Sequence, residues 1–384
     1  MHNFWTALFG AVAAIWIVQS ARAVRGMLRV PWLANAPEAS DAAAPSVSVI
    51  FAARDEAANL PEALATLLAQ DYPRYEVVAV NDRSQDGTQD ILREFARTSN
   101  RLKVIDLAEL PQGWLGKPHA LMRGAQQATG EWLVFTDADV HFAPHVLRRA
   151  LGLASERKWD HLSLFSGFDL SGFWEITTIT FFCLGFVFGN EPWLASDRRS
   201  GRYVGIGAFQ LLRRSVYDAI GGHAALAMEV VEDMKLGKLV KRGGFSSGLG
   251  IALESVRLRW YSGAGNIVRG LTKNMFAATG FSLPVAVGGI MLTIVMSILP
   301  FLGVVFATGW ARIFAGIAAL VALAFHAGVA RRAKVSPWYG LTHPLGAALF
   351  AYIIARSAAV TLARGGIVWR GTFYKLKELR RGSV

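Results

Sequence analysis

Short apolar segments alternate with helix-like segments between residues 47 and 135, and this alternation restricts the fold more than any other feature of the chain. The apolar segments have the length of buried strands, and the intervening segments carry the start signals of helices. The predicted strands are Val47 to Ala53, Glu76 to Val80, Leu102 to Ile105 and Trp132 to Phe135; the predicted helices are Pro61 to Gln70, Thr88 to Arg97 and Pro118 to Ala128. Strands joined by helices in this way predict an α/β fold with a mostly parallel, doubly wound sheet.

Apolar residues are distributed unevenly along the 384-residue chain. Hydrophobic residues make up 53% of it, and the mean hydropathy of +0.33 is too high for an ordinary soluble enzyme. Residues 4–20 carry no charge, and between Phe281 and Val329 only Arg312 is charged. Residues 45–261 instead have a globular composition and the length of one sizeable domain. The composition therefore predicts one α/β domain that is anchored to a membrane.

Basic clusters flank the apolar segments and contribute to a net charge of +12. This placement fits the positive-inside rule and contact with anionic lipid better than nucleic-acid binding, so we expect no nucleic-acid partner. A cleaved signal peptide is the alternative for residues 4–20, but no positive charge precedes them and three arginines follow. We predict an uncleaved anchor, with the α/β domain in the cytoplasm. The only cysteine, Cys183, excludes an internal disulfide and fits a reducing compartment.

These patterns predict six regions along the chain. They are a transmembrane anchor (1–30), a linker (31–45), the α/β domain (46–262), an interfacial helix (263–280), a transmembrane hairpin (281–330) and a last membrane segment with a basic tail (331–384). Within the hairpin, Leu283 to Thr308 is expected to form one span. In the last region Arg356 interrupts the apolar segment Pro344 to Leu362, and a third full span would leave the basic tail outside. We therefore predict that this segment is re-entrant or interfacial.

A further apolar stretch, Phe173 to Phe188, lies inside the predicted α/β domain. It is shorter than the ~20 residues that cross a bilayer. A buried helix is one interpretation. The other, which we favour, is a helix in the membrane interface that helps a lipid to enter the site.

Two carboxylates, Asp137 and Asp139, directly follow the fourth predicted strand. The carboxyl edge of a parallel sheet is where open α/β folds bind their ligands. Paired carboxylate oxygens of this kind hold Mg²⁺ or Mn²⁺ against substrate phosphates. Aspartates after strands are also common turn residues, so the neighbouring loops decide between the two interpretations.

Three other loops at this edge carry polar side chains. The first strand is followed by Arg54 and Glu56, which lead into a helix, although helix capping alone accounts for such residues. Asp82 ends the second strand, where a carboxylate can accept hydrogen bonds from a base or a ribose. Lys117 opens the third helix and suits a phosphate or sugar oxygen, unless it is an exposed lysine without a role.

Taken together, the segments ARDEAANL, NDRSQDGT, GWLGKPHA, FTDADV, GGHAALAMEVVEDMKLG and RLRW resemble the inverting glycosyltransferases of family 2, which have the GT-A fold. The resemblance extends from Val47 to about Lys273 and is to a membrane-anchored branch that includes hopanoid-associated and carotenoid-type enzymes and, more distantly, ceramide glucosyltransferase. It implies that Asp82 contacts the uracil of a UDP-sugar, that Asp137 lies near the ribose and the donor, and that Asp139 binds the divalent metal. Arg54, Glu56 and Lys117 would also bind the donor.

The same resemblance assigns a catalytic base. Glu232 and Asp233 match a later acidic pair in which the aspartate deprotonates the acceptor hydroxyl, with Glu232 on the acceptor side. The alternative is a pair of first-turn helix charges. His223 follows two glycines and contacts donor or acceptor in this interpretation; an ordinary loop histidine is the alternative.

The segment Val256-Arg257-Leu258-Arg259-Trp260 resembles the Q-x-x-R-W element of processive relatives, but Val256 replaces its glutamine. This difference favours transfer of a single sugar. Arg259 and Arg257 are equal candidates for the diphosphate, and Trp260 is a candidate for the acceptor site.

The sequence therefore predicts a metal-dependent inverting enzyme with Mg²⁺ or Mn²⁺. It would move one sugar from a UDP-sugar to a membrane lipid and would lie in a bacterial-type plasma membrane as a multi-pass protein. Two alternatives are a processive polysaccharide synthase and a non-catalytic scaffold that binds lipid or a partner.

Overall fold

The computed structural model describes residues 2–41, 44–261, 263–382 and 384. The chain divides into two compact units. We call the first the helical unit; it comprises Met1–Arg29, Leu170–Glu191 and Tyr261–Arg380. We call the second the sheet unit; it comprises Val30–Asp169, Pro192–Trp260 and Arg381–Val384.

The sheet unit contains one eight-stranded sheet in the order β3-β2-β1-β4-β7-β6-β8-β5. Its strands are β1 (Val47–Ala53), β2 (Tyr75–Asp82), β3 (Leu102–Leu107), β4 (Trp132–Asp137), β5 (His141–Phe142), β6 (His161–Phe168), β7 (Gln210–Arg213) and β8 (Ser247–Leu258). The first four are parallel, β7 is antiparallel to both neighbours, and β6 and β8 are parallel to each other. The four predicted strands are confirmed, and the sheet is mixed but mostly parallel.

Both faces of the central parallel strands β1 and β4 are covered, which explains their mostly apolar sequences. Val49 and Phe51 of β1 face one core with Leu64, whereas Ile50 faces a second core with Leu121. The covering helices are α2 (Leu60–Leu68), α3 (Thr88–Thr98), α4 (Gly116–Gln127), α5 (Val146–Arg157), α7 (Arg214–Ala219) and α8 (Glu232–Arg242). The three predicted helices are confirmed as α2, α3 and α4, with boundaries shifted by up to two residues.

The helical unit contains α1 (His2–Met27), α6 (Phe173–Asn190), α9 (Gly263–Ala278), α10 (Leu283–Ser297), α11 (Leu299–Phe306), α12 (Gly309–Arg332), α13 (His343–Arg364) and a hairpin of β9 (Gly366–Trp369) and β10 (Thr372–Lys375), followed by α14 (Leu376–Arg381). Among the described residues, five helical segments are long and apolar enough to cross a membrane. They are Asn3–Met27, Phe173–Asn190, Leu283–Phe306, Gly309–Arg332 and Pro337–Arg364. Membrane insertion of each segment stays a prediction.

The expected single helix over Leu283 to Thr308 is interrupted, because α10 ends at Ser297 and α11 begins at Leu299. Pro300 has no N–H with which to bond the carbonyl of Met296 four residues earlier. The indole Nε1–H of Trp16 donates to that carbonyl instead, at 2.8 Å. The break therefore follows from one proline and is stabilised by a side chain of α1.

Helices α1 and α12 run parallel to each other. Phe9 packs with Ala315 near their starts, and Trp16 packs with Ala322 farther along. The small side chains of α12 allow this close approach. Because the helices are parallel, the arginines near the end of α1 and those at the end of α12, Arg331 and Arg332, lie toward the same end of the helical unit.

Two other segments of the helical unit were predicted as interfacial or re-entrant. Phe173–Asn190 is an 18-residue helix, somewhat longer than predicted. Pro344 to Leu362 lies within α13, which is unbroken and begins inside the unit, where His343 is buried against the rings of Trp16 and Phe181. Their positions in a bilayer stay predictions.

Candidate active site

Polar side chains from three neighbouring strands meet at the carboxyl edge of the sheet. Ala52 of β1 pairs with Asp137 of β4, and Ala53 pairs with Asn81 of β2. The strands therefore end in register, which places Arg54, Asp82 and Asp137 along one edge. This is the crevice in which open α/β sheets bind ligands.

Asp82 lies between two arginines. It is 3% exposed, Arg83 Nε donates to its Oδ1 at 2.8 Å, and Arg54 Nη1 lies 4.0 Å from its Oδ2. Arg54 Nε is buried without a hydrogen-bond partner among the described residues. A Cβ on Gly116 would lie 2.4 Å from Asp82 Oδ2, so the start of α4 reaches this carboxylate only because residue 116 is glycine.

The loops after β1 and β2 hold each other through side-chain to backbone hydrogen bonds. Asp55 Oδ1 accepts from Gln85 N at 2.7 Å, and Asp86 Oδ2 accepts from Ala57 N at 3.0 Å. Thr88 Oγ1 accepts from the backbone N of Glu56 at 2.9 Å. Asp55 and Asp86 therefore shape the loops, and the polar groups of Arg54 and Glu56 are held at fixed positions beside the edge.

Lys117 joins two carboxylates from distant parts of the chain. Its Nζ lies 2.5 Å from Asp137 Oδ1 and 2.6 Å from Glu232 Oε1. Burial alone would lower the pKa of Lys117, but the charges of Asp137 and Glu232 raise it well above its ordinary value. The ammonium group is therefore charged and fixes β4 against the start of α8.

Asp233 lies beside Asp137 and is held by backbone groups. Its Oδ2 accepts from Gly207 N at 2.9 Å, and its Oδ1 accepts from Met234 N at 2.8 Å. A Cβ on Gly207 would lie 3.0 Å from Asp137 Oδ2 and 3.3 Å from Asp233 Oδ2. One oxygen of each carboxylate therefore lies beside the place that a side chain of residue 207 would occupy. Burial and then Glu232 raise the pKa of Asp233 to about 6, against the opposing effect of Lys117.

Negatively charged side chains are in excess at this edge of the sheet, and their carboxylate oxygens are suitable ligands for a divalent cation. Burial, followed by the charges of Asp137 and Glu56, raises the pKa of Asp139 to about 7, so a cation there would relieve real repulsion. Within residues 2–41, 44–261, 263–382 and 384, no three His, Cys, Asp or Glu side chains are grouped to hold a metal. Asp137 and Asp139 fit an ion that takes its other ligands from water and substrate phosphates, as Mg²⁺ does.

Three other predicted site residues stand at the end of β8 and directly after it. Arg257 is exposed and forms an ion pair with Asp169, with its Nε 2.9 Å from the carboxylate Oδ1. Arg259 is also exposed, and the half-buried ring of Trp260 stacks on Phe168 at 5.9 Å. The side chains of Arg257 and Arg259 are exposed to solvent, whereas Trp260 is partly used in packing.

His223 lies in the core. It is 1% exposed, its Nδ1 is 3.0 Å from Tyr217 Oη, and its ring packs edge-on against Phe135 at 4.6 Å. Burial and then Lys117 lower its pKa to about 3. This position matches the alternative of a structural histidine better than contact with a donor or an acceptor.

Sequence reasoning missed two residues of the site. Arg83, the ion-pair partner of Asp82, stands inside the NDRSQDGT segment, and its charge beside an aspartate was a usable signal. Gly207, which leaves room for Asp137 and Asp233, stands in Gly205-Ile206-Gly207. Closely spaced glycines often mark the approach of a backbone to another group, and that was its only signal.

Comparisons with known proteins agree with this geometry. Residues 48–221 match the family model for glycosyl transferase family 2. The 4,4'-diaponeurosporenoate glycosyltransferase of Staphylococcus aureus strain bovine RF122 / ET3-1 is 25% identical over 343 residues, which cover 87% of this chain and 89% of that protein. The protein of the same name from strain USA300 is 25% identical over 345 residues, with the same coverage.

Among solved structures, the mannosyltransferase PcManGT from Pyrobaculum calidifontis, in complex with GDP-Man and Mn²⁺, has a TM-score of 0.53 at 21% identity. The match covers 93% of this chain and 98% of that one, and at this identity it shows the shared GT-A fold. The family match covers the edge from Arg54 to Asp139, which carries most of the polar groups described above. This chain is therefore a glycosyltransferase with the GT-A fold, in which residues 48–221 match the glycosyl transferase family 2 model.

Proposed function

We propose that the enzyme transfers one sugar from a UDP-sugar to a hydroxyl or phosphate group of a membrane lipid, with inversion at the anomeric carbon and Asp233 as the base. One observation carries this proposal. The carboxylate of Asp233 is fixed by two backbone N–H groups and shares the space beside Gly207 with Asp137. A fixed base close to a donor-binding carboxylate is the arrangement that a single displacement requires.

The donor half of the proposal rests on the edge formed by β1, β2 and β4. Asp82 is positioned by Arg83 and Arg54 to accept hydrogen bonds from the nucleobase. The free Nε–H of Arg54 supplies a donor for the nucleotide. Uridine as the base follows from the resemblance of NDRSQDGT to UDP-sugar enzymes, whereas the solved relative binds GDP-Man. A donor panel that includes both nucleotides is therefore necessary.

The chemistry at the sugar follows from the positions of three charged groups. Asp233 takes the proton of the acceptor hydroxyl as its oxygen bonds to the anomeric carbon, and the bond from that carbon to the diphosphate breaks. Lys117 lies beside Asp137 and offers a positive charge toward the departing diphosphate. A divalent ion held by Asp139 and Asp137 would neutralise further negative charge on that leaving group. The exposed side chains of Arg257 and Arg259 are assigned to the same diphosphate on the resemblance of the segment RLRW.

A lipid acceptor is supported by two independent observations. Five apolar segments among the described residues have the length of membrane spans. The two Staphylococcus relatives are named for a carotenoid acid, diaponeurosporenoate, which is an apolar acceptor. The basic residues at the ends of α1 and α12 favour a plasma membrane location with the sheet unit in the cytoplasm. On the acceptor side we place Glu232 and Trp260.

The experiment is a lipid-transfer assay with the full-length protein in nanodiscs of bacterial lipid. UDP-linked sugars and GDP-mannose are supplied with Mn²⁺ or with EDTA. Asp233→Asn is compared with Asp218→Asn, which changes an exposed aspartate outside the site. We expect a discrete glycolipid, a loss of about 10²- to 10⁴-fold in Asp233→Asn and near-normal activity in Asp218→Asn. Turnover that survives in Asp233→Asn would refute the base, and a polymeric product would identify a processive synthase.

A further inference from the structure

Arg356 lies in a long part of α13 that has no other charged residue. Between His343 and Ala363 no other residue of α13 is an acid, a lysine or an arginine. Arg356 is half-buried and lies eight residues before the end of the helix at Arg364, a rise of about 12 Å. A cation in apolar surroundings is costly unless an anion accompanies it.

Within the described part of the chain, Arg356 has no such partner. Its Nε is buried without a hydrogen bond, and no ion pair joins its guanidinium to a described carboxylate. An arginine that folding leaves unpaired in this way retains its full capacity to bind an anion, since the planar guanidinium offers five N–H donors.

Among the described residues of the helical unit, no carboxylate is left to pair with Arg356. From Gly263 to Arg380 the sequence contains twelve lysines and arginines against one acid, Glu378, which is exposed on α14. The other two acids of the unit are already engaged. Glu175 accepts backbone N–H groups of residues 171 and 263, and Glu191 pairs with Arg22 at 2.6 Å. The anion for Arg356 must therefore come from outside the protein.

A second hydrogen-bonding group lies one turn earlier on the same helix. Tyr352 is 53% exposed, and as residue i−4 it is the neighbour of Arg356 on the helix surface. The residues that share this exposed face are apolar: Leu345, Ala348, Ala355, Ala359 and Leu362. The buried face of α13 is hydrogen-bonded to α9, which fixes the orientation of α13 about its own axis. The hydroxyl of Ser357 accepts a hydrogen bond from Phe276 N and donates one to the carbonyl of Thr272.

We propose that Arg356 and Tyr352 bind the phosphate of an anionic phospholipid on this face of α13. The guanidinium forms charge-assisted hydrogen bonds to the phosphate oxygens, and the phenol donates another. The apolar side chains on either side contact the acyl chains. Free inorganic phosphate offers the same oxygens but gains nothing from that apolar surface, so the lipid is the occupant. The proposal does not depend on the glycosyl transfer proposed above.

The test is native mass spectrometry and thermal unfolding of the full-length protein in neutral detergent, titrated with phosphatidylglycerol or phosphatidylcholine. Arg356→Gln and Tyr352→Phe are compared with Arg312→Gln, which removes an exposed arginine from another apolar helix, α12. Inorganic phosphate is added as a competitor. If Arg356→Gln does not fold, Tyr352→Phe and the competition still give a result.

We expect phosphatidylglycerol to bind and stabilise the wild type more than phosphatidylcholine. Arg356→Gln should weaken phosphatidylglycerol binding about five- to tenfold, Tyr352→Phe by a smaller factor, and Arg312→Gln by less than twofold. An equal loss in Arg356→Gln and Arg312→Gln would show non-specific attraction and overturn the site. Full competition by millimolar phosphate would overturn the lipid as its occupant.

Discussion

The substitution Gly207→Ala tests the arrangement of the two carboxylates most sharply. The added methyl group would lie 3.0 Å from Asp137 Oδ2 and 3.3 Å from Asp233 Oδ2, closer than ordinary contact. Neither carboxylate can move freely, because Lys117 holds Asp137 through Oδ1 at 2.5 Å and the N–H of residue 207 itself holds Asp233 Oδ2 at 2.9 Å. The backbone of Gly207 has no positive φ, so alanine adds no strain there.

Relief of this contact requires shifts of a few tenths of an ångström and costs about 1–2 kcal/mol. Because misplacement of reacting groups by about 1 Å lowers rates about 10²-fold, we expect kcat to fall about 10- to 100-fold. The melting temperature should change by only a few degrees.

The assay is single-turnover transfer of radiolabelled sugar to lipid, with circular dichroism as the folding control. Gly201→Ala is the matched control, since its Cβ meets nothing within 4 Å and its backbone has no positive φ. Wild-type kcat in Gly207→Ala would refute the shared space between the carboxylates. An equal loss in Gly201→Ala would show that the effect belongs to the loop as a whole.

Two further predictions concern charge. Lys117→Gln leaves Asp137 and Glu232 without their shared cation. Because Lys117 and Asp137 are partly exposed, we expect a loss of about 1–3 kcal/mol in stability, measured by urea unfolding, and at least 10²-fold in turnover, measured by the transfer assay. The exposed control Lys103→Gln should stay near wild type. An unchanged unfolding midpoint would refute the bridging role. Burial lowers the pKa of His161 to about 4. Between about pH 6.5 and about pH 4 the histidine is therefore protonated in the unfolded chain but not in the folded protein. The free energy of unfolding should fall by about 3 kcal/mol as the pH falls through this range. The stability of His161→Gln should not show this loss at low pH. The same pH dependence in His161→Gln and the wild type would contradict the prediction.

The parallel half of the sheet was predictable because its signal is local. Each of β1 and β4 is buried on both faces and has a mostly apolar sequence, which a short window of sequence reveals. The antiparallel strand β7 has only four residues, Gln210–Arg213, and forms because β4 and β6 pair with it. Its existence depends on contacts between distant residues, and no local pattern indicates it.

Some residues of the candidate site were also predictable from local sequence, whereas others depend on contacts between distant parts of the chain. Motif positions identified Asp82, Asp137 and Lys117 as residues of the sheet edge, since strand ends can be read from sequence. The bond from Lys117 to Glu232 depends on how α8 packs against β4, which no motif encodes. For His223 the local sequence pointed away from the observed position. The glycines before it suggested contact with a ligand, but in the structure its ring is buried against Phe135.

The anomeric configuration of the product tests the central proposal most directly. The wild-type enzyme would be given an α-linked UDP-sugar, and the isolated glycolipid would be analysed by proton NMR at the anomeric position. A single displacement with Asp233 as base predicts a β-linked sugar. An α-linked product would require a retaining mechanism and would contradict the role derived from the fixed carboxylate of Asp233 beside Gly207.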